Sequence, residues 1–121
     1  MFTRITLAAT AALLLVGGTA MAQDSIKARK DGFQDTKKAM AEIKGLLESD
    51  KVAPVGAVAQ RVSAFANHLP TLFPAGSDKG DTKAKGEIWA DFGDFSAKAK
   101  NFEDAAKALE TTAASGDKAA T

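Results

Sequence analysis

The stretch GEIWADFGDFSAKAKNFEDAAKALETTA, residues 86–113, decides the fold. At helical pitch it places Ile88, Phe92, Phe95, Ala99, Phe102, Ala106, Leu109 and Ala113 at alternating steps of four and three. That spacing draws one apolar stripe down a single helix face. Three phenylalanines lie on the stripe and Trp89 beside its start, more apolar surface than a lone helix hides, so the stripe is read as core and requires helical partners.

Two partners lie upstream. A helix is predicted from about Ser25 to Ser49, with Asp24 or Ser25 as its N-cap. Ile26, Phe33, Met40 and Leu47 recur every seventh residue, with Thr36 and Ile43 between them, and form a seam for an antiparallel neighbour. Met40 is assigned to the core on this periodicity, and Gly32, beside Phe33, is a point where a bulky group can approach the backbone. A second helix is predicted from Pro54 to Leu69, carrying Val55, Val58, Val62, Phe65 and Leu69 inward and stopped by Pro70. Residues 71–85, TLFPAGSDKGDTKAK, are a long connection of the kind that often carries function. The third helix is predicted over 86–115, with Gly116 as its left-handed cap and Asp117 as the N-cap of a further helix starting at Lys118. The expected architecture is all-α, an antiparallel bundle shaped as a four-helix bundle without most of its fourth member.

Residues 1–22 stand apart. Arg4 supplies a basic start, Ile5 to Val16 an apolar run, and Ala20-Met21-Ala22 a small-residue cleavage pattern, which together read as a cleaved export signal before a single domain at 23–121. Arg4 is the only charge in that segment, so the rest of the chain sets its 15 acidic residues against an equal number of basic ones. This balance argues against a nucleic-acid partner and gives no reason to expect a membrane partner after cleavage. Cysteine is absent, which removes disulfides, a thiol nucleophile and a thioether-linked haem from these residues. No nucleophile–base pair, phosphate loop or metal-spaced histidine pattern points to an enzyme. His68, the only histidine, falls off the apolar stripe near a helix end and reads as a solvated or capping residue. Arg29 falls on the seam side of its helix, where an unpaired guanidinium is costly; it needs either a partner anion or a route to the bundle end.

An ordered set of local motifs adds a family to this reading. Ile26-Lys27-Ala28-Arg29-Lys30-Asp31-Gly32-Phe33, then Leu69-Pro70 and Phe73-Pro74-Ala75-Gly76-Ser77, then Glu87-Ile88-Trp89 resemble cytochrome c′, the four-helix-bundle class of c-type cytochromes. The resemblance spans nearly the whole chain after the export segment. It implies a periplasmic protein with haem c as cofactor, serving electron transfer or the binding of nitric oxide or carbon monoxide. It also implies a fourth helix bearing Cys-x-x-Cys-His, which these residues lack, so covalent attachment is not expected within them and the sequence is read as a truncated product. Phe33 matches the residue that caps the open face of the haem. Arg29 matches the arginine that meets a propionate, and Lys30 stands where the family has glutamine. Ser77 and Asp78 match loop residues near the propionates, and Trp89 a tryptophan beside the pocket. The implied partners are a redox protein or a small gas, with a homodimer through helices Ser25 to Ser49 and Pro54 to Leu69. The competing expectation is a haem-free periplasmic helical module that fills its open groove with a partner helix or a second copy of itself.

Overall fold

The computed structural model describes residues 14–121. Most of the expected export segment, residues 1–13, lies outside the described residues. Four α-helices and one 3-10 turn make up the described chain: α1 Leu14–Glu48, α2 Val55–His68, the 3-10 turn Leu69–Leu72, α3 Glu87–Ala90 and α4 Phe92–Ala114. No strand occurs among the described residues, and no helix there is long and apolar enough to cross a membrane.

Two boundaries differ from expectation. The first helix does not start at an Asp24 or Ser25 cap; α1 runs unbroken from Leu14, because leucine, alanine and methionine upstream favour helix and no proline interrupts them. The third helix is broken. Asp91 leaves helical geometry at φ −135 and ψ 71, and its side chain accepts a hydrogen bond from the Asp94 amide at 3.1 Å, restarting the helix as α4. The remaining termini follow their local chemistry. Asp50 takes a left-handed φ of 56 after α1, and the Lys51 amide reaches back to the Leu46 carbonyl at 2.8 Å. Gly116 adopts φ 75 after α4 and Asp117 Oδ1 accepts from the amides of Ala119 and Ala120, but the helix expected from Lys118 is not formed: residues 118–120 make a turn.

α2 is the middle element. It packs closely against α4 and more lightly against α1, while the backbones of α1 and α4 stay apart. The core follows this order in two layers. Val55, Val58 and Val62 of α2 join Ala39 and Ile43 of α1 to Ala106 and Ala113 of α4. Above them Leu69, Phe73 and Ala99 are buried, with Phe65, Ile88, Trp89 and Phe95 packed around them. Two assignments change. Met40 is 53% exposed rather than core, and Phe92, at the head of the stripe, is 37% exposed. Met40 lies on an open groove of about 450 Å³ between α1 and α4, lined also by Ile43, Leu47, Leu109 and Lys118.

Glu103 is the buried acid on the α2–α4 contact. Lys107 donates to its carboxylate at 2.6 Å and Asn67 at 3.2 Å, and these bonds, Lys107 first, hold its pKa below the ordinary glutamate value. A depressed folded pKa means stability that is present above the unfolded value and is lost as pH falls through the folded one. Glu103→Gln should therefore flatten the acid limb of the stability–pH curve while leaving its neutral slope unchanged. Urea midpoints between pH 7 and pH 3 provide the measurement, and an acid limb identical to wild type refutes the assignment.

Candidate functional site

Successive inward positions of α1 at steps of three and four are Ile26, Arg29 and Phe33. Ile26 and Arg29 are each 3% exposed, whereas Phe33 is 47% exposed. Gly32 allows this arrangement: a Cβ there would lie 2.1 Å from Cε2 of Phe65, so the Phe65 ring rests directly on the α1 backbone. Phe33 then meets Phe65 edge-on, with centroids 5.2 Å apart.

Arg29 finds its partners in the long connection rather than in an acid. Nη1 donates to Leu72 O at 3.1 Å and Ser77 Oγ at 2.9 Å. Nη2 donates to Ser77 O at 2.6 Å and Thr82 Oγ1 at 2.8 Å. The guanidinium carbon lies 4.5 Å from the centroid of Phe73 and 5.8 Å from that of Trp89, within cation–π range. Burial pulls its pKa down from the usual arginine value, but a guanidinium remains protonated in any protein setting. Among the described residues, Arg29 reaches the connection that follows α2 and the 3-10 turn. The acceptors are neutral oxygens of the loop.

The loop is shaped for this role. Ser77, fully buried, donates from Oγ to Pro74 O at 2.8 Å and closes a turn in which Gly76 takes φ 87, a conformation costly for other residues. Trp89 Nε1 donates to Phe73 O at 3.0 Å and Pro74 O at 3.1 Å, which ties α3 to the same turn. Phe73 packs on Phe95 at 4.6 Å and on Trp89 at 5.9 Å. Between α1 and this aromatic wall lies a cleft of about 320 Å³, lined by Phe33, Phe73, Ile88 and Phe95 and also by Arg29, Lys30, Thr82 and Lys83. Lys30 also pairs with the Asp81 carboxylate at 2.7 Å.

Of the six residues singled out from sequence, Arg29, Lys30, Phe33, Ser77 and Trp89 are thus brought together. Asp78 is not: it is exposed, and its carboxylate joins no hydrogen bond or ion pair among the described residues. Phe73, Thr82 and Lys83 were missed as site residues. Phe73 had a signal, an aromatic between Leu72 and Pro74 in a polar connection. Thr82 had none, since its partner lies 53 positions away. His68 is exposed at the end of α2 and does not border the cleft, as expected of a solvated residue.

The family model described as Cytochrome C' matches residues 24–121. A protein named cytochrome c' from Rhodospirillum rubrum is 32% identical over 123 aligned residues, which cover 97% of this chain and 84% of that protein. No solved structure matches the chain.

Proposed function

Because the chain belongs to the cytochrome c′ family, we propose that it is the exported, periplasmic scaffold of a c-type haem protein for electron transfer or small-gas binding, with no haem-attachment motif within residues 1–121. The observation that carries this reading is the cleft between Phe33 and the Phe73–Phe95 wall. An apolar slot that three cations, Arg29, Lys30 and Lys83, also line suits the flat apolar body and acidic edge of a porphyrin. The iron-ligating half is not supplied by these residues: the chain has no cysteine, His68 stands clear of the cleft, and no metal-holding cluster occurs among the described residues.

Haem c, when bound, supplies an iron that exchanges an electron or takes a small gas. The residues of this chain shape its surroundings. Phe33, braced edge-on by Phe65, presents an apolar ring to one side of the cleft. Phe73, Ile88 and Phe95 form the other wall and exclude water, while the Ser77 turn and Trp89 keep that wall in place. Pairing of two copies through the outer faces of α1 and α2 belongs to the same reading.

The 121-residue chain, produced in a host competent for c-type haem maturation, should give no haem stain after denaturation. A reading frame extended past Thr121 should show Cys-x-x-Cys-His within ~20 residues, about the length of one bundle helix. A covalent haem on residues 1–121, or a continuation without that motif, overturns the proposal.

The groove between α1 and α4 favours a second reading, a haem-free module that receives a partner helix against Met40, Leu47 and Leu109. A dilute, well-folded monomer that binds neither partner nor hydrophobic dye contradicts it.

A further inference from the structure

We propose that Gln23 becomes the amino-terminal residue of the exported chain and closes on its own α-amine to a pyroglutamyl lactam. The proposal rests on the export reading above.

Ala20 and Ala22 are the small residues of the cleavage pattern, so the bond cut is the one after Ala22 and Gln23 is the residue left in front. The structure shows what this cut removes. Ala20 is exposed and Met21 is 71% exposed, whereas packing begins at Ala22 and Ile26, 8% and 3% exposed. Among the described residues, the cut therefore takes only the Ala22 methyl out of the interior and keeps the Ile26, Arg29 and Phe33 face of α1 whole.

A glutamine in first position carries its own electrophile. The freed α-amine reaches Cδ of the same side chain through a five-membered ring. The N–Cδ bond forms, the Cδ–Nε2 bond breaks, and Nε2 leaves as ammonia with the proton that the amine gives up. No oxidant or second substrate takes part. The fold leaves this path open, because Gln23 is exposed and its closure strands no buried donor or acceptor. Nε2 points toward Gly80, where an added Cβ would lie 2.7 Å away, so the atom that departs is the one that crowds this turn. The product also suits its position. A free ammonium at the start of α1 would face the positive end of the helix dipole, and the lactam carries no charge there. Asp24 or Ser25 then follows as the cap of the shortened helix, the role their side chains fit by sequence.

The test is the full chain expressed in a Gram-negative host, recovered from its periplasm and measured by intact mass and stepwise amino-terminal sequencing. The dominant species should have the mass of residues 23–121 less one ammonia and release nothing in the first cycle. Treatment with pyroglutamyl aminopeptidase should then expose Asp24. Gln23→Ala, which cannot close the ring, should keep its amine and read alanine first. A dominant wild-type species of undiminished mass that reads Gln23 first, before and after storage at neutral pH, overturns the proposal and leaves export in place. A Gln23→Ala chain blocked to the same degree overturns it as well. A product that retains residues 1–22, or begins at another residue, overturns the export reading, and the lactam falls with it.

Discussion

Arg29→Met should destabilise the folded chain by about 2–4 kcal/mol, a large share of the ~5–15 kcal/mol that holds a small domain together. The substitution keeps a long apolar stem against Phe73 and Trp89, so the loss comes from the acceptors. The hydroxyls of Ser77 and Thr82 keep other partners, Pro74 O at 2.8 Å and the Ala84 amide at 3.1 Å. Leu72 O and Ser77 O lose the guanidinium outright, at about 1–3 kcal/mol for each buried group left unsatisfied. Relief of the desolvation of a buried charge offsets part of this, so the net falls below the sum. Arg29→Lys should recover less than half of the loss, because one ammonium cannot span four acceptors set for a planar fork. Urea titration followed by Trp89 emission and by far-ultraviolet circular dichroism gives both values. A loss under ~1 kcal/mol for the methionine variant would show that the loop closes without the guanidinium.

Gly32 gives the second large effect, and its sign is the informative part. Inside an exposed helix, Gly→Ala gains about 1 kcal/mol from propensity alone. At Gly32 a Cβ would meet Cε2, Cδ2 and Cζ of Phe65 at 2.1, 2.6 and 2.7 Å. The obstacle is one edge of a ring that Phe33 braces from the other side, and overpacking of this kind costs about 1–3 kcal/mol or more. Gly32→Leu should therefore lose about 2–3 kcal/mol, and Gly32→Ala should destabilise in spite of its better propensity. Pairing Gly32→Ala with Phe65→Leu should show favourable coupling, since the smaller side chain vacates the contested volume. A stabilising Gly32→Ala on the Phe65 background would refute the close approach.

The sequence disclosed the fold through periodicity, and its shortfalls have specific causes. Val55, Val58 and Val62 were inward by spacing and are buried, and Gly32 was read as a point of close approach, which Phe65 makes. Periodicity names a face and says nothing of whether a neighbour covers it; hence Met40, correct in phase, is half exposed. The break at Asp91 overrode a stripe that continues across it, because a single side-chain cap is a local event that an apolar pattern averages away. Within the candidate site, Arg29, Lys30 and Phe33 share one helix turn and were singled out through the family resemblance, whereas periodicity alone put Phe33 in the core. The site was hidden where the chain returns from afar: Arg29 meets Thr82 across 53 positions, and nothing in either segment announces the other.

The central placement of α2 has a consequence for how the molecule comes apart. With no close backbone approach between α1 and α4, the α2–α4 pair is expected to form one cooperative unit and α1 a second, joined to it across α2 and, at the cleft, by the Arg29 bonds and the Phe33–Phe65 edge. Native-state opening then proceeds in two stages, with α1 the less protected partner in amide exchange. Phe33 departs with α1, while Phe73, Ile88 and Phe95 stay with the remaining unit, so the seam of partial unfolding runs along the cleft itself. Any occupant that touches both sides binds the closed form selectively, and its affinity is scaled by the fraction of molecules in which the two units are docked.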